Sequence, residues 1–201
     1  MKILVYTFYN RWRVSCRAVF EFQIARNYLE NKHKMIKGVS LFSDNIPTVY
    51  EDNFMCEKMS DVEIHKFYYG RFTCLRKILI ENNFDYIIGI ANGNKNAKYI
   101  RIEQVFINKY GLNKILPNYK ISQVWKPTWS IKLPMKFKSE VKFPDNFTTG
   151  PCNRSVVNIL DVVSVNKLKS KVAFIHLKGG AKVDEVKELI QNVIVQVTIT
   201  K

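Results

Sequence analysis

The chain is expected to fold as an α/β protein: a three-layer α/β/α sandwich with a mostly parallel central sheet, in a single domain over residues 1–201. Three observations predict this. Apolar runs of strand length alternate with stretches of helical periodicity, the order that builds a sheet covered on both faces. Two of those runs, Tyr86 to Ala91 and Val172 to Leu177, are apolar at every position or nearly so, as central parallel strands are. The chain is 47% hydrophobic and 24% charged, with 8 Gly and 6 Pro, which supplies a core and excludes disordered and collagen-like chains.

Ile3 to Tyr6 is the first short apolar strand. From Ser15 to about Lys32, Ala18, Val19, Phe22, Ala25 and Leu29 recur at helical spacing. Val39 to Phe42 is a second strand. Ser60-Asp61-Val62-Glu63 has the form of a capping box, in which the Ser hydroxyl and the Glu carboxylate satisfy each other's backbone amides. It predicts a helix running through Ile64, Phe67, Phe72, Leu75, Ile78 and Leu79 to Asn82-Asn83, with His65 on its surface. The Tyr86 to Ala91 strand follows. Residues Tyr110 to Pro144, with prolines at 117, 127, 134 and 144, read as loops and short strands flanking a site. Thr149-Gly150-Pro151 opens a helix, since proline at the first helical position loses no hydrogen bond. Val156, Val157, Ile159, Leu160 and Val163 form its apolar side. Strand Val172 to Leu177 and a helix from Lys182 to Asn192 complete the order. The tail from Val193 to Ile199 could prolong that helix or form an edge strand, and its β-branched residues lean to strand.

The balance of 32 Lys and Arg against 17 Asp and Glu gives a formal charge of +15. Lysines are spread along the whole chain, and the densest stretch, Lys126 to Lys142, is broken by apolar residues. That pattern favours a basic soluble protein over a nucleic-acid binder. No run approaches the ~20 residues of a membrane span. The opening residues break at Thr7 and Asn10, too soon for a signal peptide, so a cytoplasmic location is expected. The 4 cysteines and 3 histidines show no metal-ligand spacing, and reduced thiols are expected.

In a parallel sheet, sites form at the carboxyl ends of the strands. Cys152 lies just inside a helix start, where unpaired amides and the helix dipole stabilise a thiolate and could hold an oxyanion. A small buried hydrophobe is the competing reading. His176, near the end of a buried strand, is a candidate general base or a core histidine bonded to backbone. Glu103 sits in the apolar segment Ile100 to Asn108 and needs a partner. It could orient the imidazole, or pair with Arg101 or a lysine. Asn92-Gly93-Asn94 is an anion-binding turn or a plain one.

Several segments, in chain order, resemble pyroglutamyl peptidase I, also called pyrrolidone-carboxylate peptidase. They are Met1 to Val5, Ile46-Pro47-Thr48-Val49-Tyr50, Phe84 to Gly93, Ile102-Glu103-Gln104-Val105-Phe106-Ile107-Asn108, Thr149-Gly150-Pro151-Cys152-Asn153 and Phe174-Ile175-His176. The resemblance implies an α/β/α cysteine peptidase that removes an N-terminal pyroglutamyl group. Cys152 would be the nucleophile, His176 the base and acid, and Glu103 the residue orienting it, without metal or cofactor. The partner would be a peptide or small acyl-amide substrate, and a homo-oligomer is an implied possibility.

The chain departs from the family around the substrate. Thr7-Phe8-Tyr9-Asn10-Arg11-Trp12 replaces a Gly-Phe-x-Pro-Phe-Gly loop, leaving Phe8 and Tyr9 as candidate ring contacts. Ile90-Ala91-Asn92-Gly93-Asn94-Lys95 replaces Gln-Ala-Gly-Gly-Arg, leaving Asn92 as a candidate polar contact. Gln104 stands where the family has Arg, Gly150-Pro151 where it has an aromatic-aliphatic pair, and Leu177-Lys178-Gly179 follows His176 in place of a Pro-aromatic pair. These changes fall on recognition more than on the three candidate catalytic residues. The alternative is a non-catalytic or binding protein of the same fold, with an acidic or nucleic-acid partner.

Overall fold

The computed structural model describes residues 3–9, 14–15, 18, 36–42, 58–59, 62–63, 65–67, 76, 79–131, 141–142 and 148–199. Seven strands form the main sheet: β1 (Ile3–Tyr9), β2 (Ile36–Phe42), β5 (His65–Phe67), β6 (Tyr86–Asn92), β7 (Ile100–Ile102), β10 (Val141–Lys142) and β11 (Lys171–Leu177). Their order is β10-β7-β11-β6-β1-β2-β5. All neighbours run parallel except β7 and β11, which are antiparallel. Two small antiparallel pairs join β3 (Lys58–Met59) to β4 (Val62–Glu63), and β8 (Phe106–Ile107) to β9 (Val124–Trp125).

Alternation along the strands makes the three layers. Leu4, Tyr6, Ile87, Val172 and Phe174 face helix α1 (Pro151–Val165), packing on Val156, Val157, Ile159, Leu160 and Val163. Ile3, Val5, Ile88, Ile90, Ala173, Ile175 and Leu177 face the other way, onto helix α2 (Val183–Ile199) through Val186, Leu189, Ile190, Val193 and Ile194. Both faces of the central strands are therefore buried, which is why their sequences carry no polar face.

One row of the sheet depends on a missing side chain. Tyr6, Gly89 and Phe174 are register partners across β1, β6 and β11. A Cβ on Gly89 would lie 2.2 Å from Phe174 Cδ2 and 2.6 Å from Tyr6 Cζ. The glycine leaves room for the two rings, whose centroids are 6.0 Å apart.

Two sequence expectations are corrected. Ser60-Asp61-Val62-Glu63 does not open a helix there: Val62 and Glu63 form a strand, paired with Met59 and Lys58. His65 belongs to β5, which pairs with β2 at the sheet edge, and not to a helix surface. Among the described residues that helix is present at Arg76 and at 79–82, and it ends at Asn83. There φ is +44° and the amide bonds Leu79 O at 3.2 Å, a left-handed helix stop that asparagine tolerates.

The tail leaning to strand is helical instead, and α2 runs to Ile199. Val193 and Ile194 are each 1% exposed. Burying such side chains contributes ~1.5–3 kcal/mol apiece, against a helix-propensity penalty of at most ~0.7 kcal/mol. Packing wins. At the other end of α2, Glu185 Oε2 accepts from the Lys182 amide at 3.2 Å, half of a capping box. The helix expected over 15–32 lies mostly outside the described residues, although Val14, Ser15 and Ala18 are helical. The Ile46 to Tyr50 segment, Cys16, Cys56, Cys74 and His33 also lie outside them.

Candidate active site

The first turn of α1 presents Cys152. Gly150 is its N-cap, extended and without a side-chain cap, and Pro151 takes the first helical position. The opening amides of a helix have no acceptor within it. No acidic residue stands in this first turn to compete for them. Cys152 is a free thiol, partly buried against the α1 side of the sheet.

His176 arrives from β11. It lies two residues beyond Phe174, so it points to the same face, toward α1. The Phe174 ring meets the imidazole edge-on, with centroids 5.0 Å apart at 63°. Nδ1 lies 2.7 Å from Glu103 Oε1. With the carboxylate accepting, that nitrogen donates, and Nε2 is left for the Cys152 thiol, which lies near enough to help raise the ring's pKa. Burial disfavours the charged ring. Its interactions with Cys152 and Glu103, which accept its hydrogen bonds and carry negative charge, outweigh it and push the His176 pKa up from 6.5 to about 9.

Glu103 is 2% exposed. The antiparallel register sets Ile102 against Ile175 and Arg101 against His176. The Glu103 amide then donates to Phe174 O at 3.0 Å, fixing the residue beneath the imidazole. Its Oε1 also lies 3.5 Å from Arg101 Nε. His176 Nδ1 and Arg101 Nε thus both approach one Glu103 oxygen.

Residues that the sequence reading did not single out hold this arrangement. Asn153, 1% exposed, donates from Nδ2 to Ile107 O and Lys109 O, each at 2.8 Å, and accepts the Ile107 amide at 2.9 Å. It ties the α1 start to β8. Asn108, fully buried, organises the following loop: it accepts from the Leu116 amide at 2.7 Å and donates to the carbonyl of Leu116 at 2.8 Å. Ser155 Oγ donates to Cys152 O at 2.8 Å. That uses its one proton, so Tyr6 OH, 3.4 Å away, donates to Ser155. Burial raises the Tyr6 pKa, the Ser155 hydrogen bond lowers it, and the charge of Cys152 raises it further; the net shift is upward. The signal available in sequence was a polar residue inside an apolar segment, which must find partners.

Asn92 ends β6, and its Oδ1 accepts the Ser15 amide at 2.9 Å. Phe8 and Tyr9 close β1 opposite Leu41 and Phe42; their side chains lie outside the described residues. Gly93 donates its amide to Leu177 O at 3.0 Å, and Ala97 donates to Asn94 O at 2.9 Å. The Asn92-Gly93-Asn94 segment therefore uses these groups internally, as a turn packed against the strand that carries His176. Among the described residues, no cluster of three or more His, Cys, Asp or Glu could hold a metal ion. No helix among them is long and apolar enough to cross a membrane.

No family model and no curated protein sequence matches the chain. Solved structures do. Pyroglutamyl peptidase I of Bacillus amyloliquefaciens superposes with a TM-score of 0.62 at 14% identity, covering 96% of this chain and 94% of that one. This chain has the pyroglutamyl peptidase I fold. A mutant pyrrolidone carboxyl peptidase from Pyrococcus furiosus gives 0.63 at 15% identity, covering 100% and 99%. The pyrrolidone carboxyl peptidase of Thermococcus litoralis gives 0.56 at 11% identity, covering 100% and 96%. The pyroglutamyl peptidase I fold thus extends over the whole length at an identity where sequence alone carries little.

Proposed function

We propose that this protein is a cysteine-type hydrolase that removes an N-terminal pyroglutamyl, or closely related acyl, group from a peptide or small amide. The observation that carries the reading is the convergence of Cys152, His176 and Glu103 within a pyroglutamyl peptidase I fold. No structural requirement brings a helix-tip thiol, a strand-end imidazole and a buried carboxylate together.

The chemistry follows from the arrangement. His176 Nε2 takes the Cys152 proton, and Sγ attacks the acyl carbonyl carbon. The oxyanion that forms is stabilised by the amides of the α1 first turn and its dipole. The imidazolium gives its proton to the leaving nitrogen as the C–N bond breaks, leaving a thioester on Cys152. Water, deprotonated by His176, attacks that thioester, and the acid leaves as the thiol is restored. Glu103 keeps Nδ1 protonated and the ring aligned throughout. Phe8 and Tyr9, at the end of β1, would contact the acyl ring. Asn92 would act there only by reorienting from Ser15.

Hydrolysis of a fluorogenic pyroglutamyl amide tests the reading. Turnover by the native protein that disappears in Cys152→Ala and His176→Ala is expected. Turnover surviving in Cys152→Ala overturns the nucleophile. Absence of turnover in the native protein, with Cys152 rapidly alkylated near neutral pH, overturns the pyroglutamyl specificity and leaves a different acyl group to find.

A further inference from the structure

We propose that Arg101 acts on the reaction through Glu103: by sharing Oε1 with His176, it moderates the carboxylate's hold on the imidazole, so that His176 can give up its proton. The inference rests on the catalytic reading of Cys152, His176 and Glu103 given above.

The geometry is specific. Arg101 is the register partner of His176 across the antiparallel β7–β11 junction. Both side chains reach the same carboxylate oxygen, His176 Nδ1 at 2.7 Å and Arg101 Nε at 3.5 Å. Arg101 Nε is out of contact with solvent, although the side chain as a whole is 33% exposed. Glu103 is anchored by its amide on Phe174 O and buried, so its carboxylate cannot turn away to water.

A buried carboxylate bonded to an imidazole at this distance favours the imidazolium. Left alone, it would bind the proton so firmly that transfer to a leaving nitrogen is impeded, since a useful acid and base titrates near the working pH. A guanidinium on the same oxygen draws off part of that charge. Arg101 is a positioning and tuning residue and touches no reacting atom.

The test measures the His176 ring titration by NMR, assigned with a His176→Asn control, and the alkaline limb of kcat/KM on the pyroglutamyl amide. In Arg101→Gln the His176 midpoint is expected to rise by about half a pH unit or more, the size left after partial solvent screening. The alkaline limb should move with it. Arg101→Lys, which keeps the charge, should restore most of the native midpoint. In a Glu103→Gln background, Arg101→Gln should move nothing, because its route is gone. An Arg101→Gln midpoint that stays or falls, or an equal shift in the Glu103→Gln background, overturns the proposal. Arg101→Met serves if the Gln variant does not fold. The NMR titration needs no substrate, so failure of the peptidase reading (no turnover) and failure of the Arg101 reading (no shift) are separate results.

Discussion

Glu103→Gln isolates the carboxylate's charge while keeping its shape. Burial opposes the charged ring, but Cys152 and Glu103 push the His176 pKa up from 6.5 to about 9. At ~1.4 kcal/mol per pH unit, that difference amounts to roughly 3 kcal/mol favouring the charged ring. A hydrogen bond to a charged group contributes ~1.5–3 kcal/mol, and the 2.7 Å contact to Glu103 is one of two such partners. Removing its charge should lower the His176 midpoint by ~1–2 pH units. The sign for stability follows from linkage: a group whose pKa is raised on folding stabilises fully below its unfolded value. That contribution is present below pH 6.5 and fades as pH rises through 9. Urea denaturation should therefore show Glu103→Gln less stable than the native protein by ~1.5–3 kcal/mol at pH 6. The gap should close substantially at pH 10. NMR titration of His176 measures the midpoint directly. A midpoint unmoved by the substitution, or a stability gap equal at both pH values, would refute the argument that Glu103 holds an imidazolium.

Three further outcomes follow from contacts elsewhere. Asn153→Ala leaves the Ile107 amide and the carbonyls of Ile107 and Lys109 without that partner, and should cost ~2–4 kcal/mol in urea denaturation, with Cys152 alkylation slowed as α1 loosens from β8. Gly89→Ala forces a methyl to within 2.2 Å of Phe174 and 2.6 Å of Tyr6, and should cost ~2–3 kcal/mol, the upper part of the overpacking range, because both rings are held in a full core. Gly93→Ala sets a Cβ 2.1 Å from Leu177 O, a backbone atom next to His176. It should lower kcat/KM by ~10–100-fold, as small displacements of a catalytic group do, and native kinetics in this variant would show that the loop does not set the imidazole's position.

Much of the frame is legible in sequence because one kind of interaction decides it. Tyr86 to Ala91 and Val172 to Leu177 are strands buried on both faces, and nothing local competes with that reading. Pro151 after Gly150 marks the α1 start for a reason intrinsic to proline. The sequence is hardest to read where local signals are ambivalent. Ser60 to Glu63 has the form of a helix cap, and the pairing of Val62 and Glu63 with Met59 and Lys58 overrides it. Val193 to Ile199 favours strand by propensity, and burial of Val193 and Ile194 beside α2's other core residues overrides it. Asn153 and Asn108 could be recognised as buried polar residues, but their partners lie dozens of residues away or in a loop without periodicity. Only the fold reveals which backbone groups they satisfy.

The feature hardest to foresee is the one on which the site turns. In a wholly parallel sheet, residues following a strand emerge at the open carboxyl edge, in contact with solvent. A glutamate delivered that way would face the imidazole from outside. Here β7 runs against β11, entering the sheet beside His176 and descending, so that Glu103 comes to rest level with Phe174. The reversal places the carboxylate below the imidazole and out of water. The ring is then held from beneath by Glu103 and packed by Phe174. It also brings Arg101 to the position directly opposite His176, where a cation can reach the same oxygen. One antiparallel junction in an otherwise parallel neighbourhood thus sets the depth of Glu103 beside His176 and brings Arg101 opposite the ring.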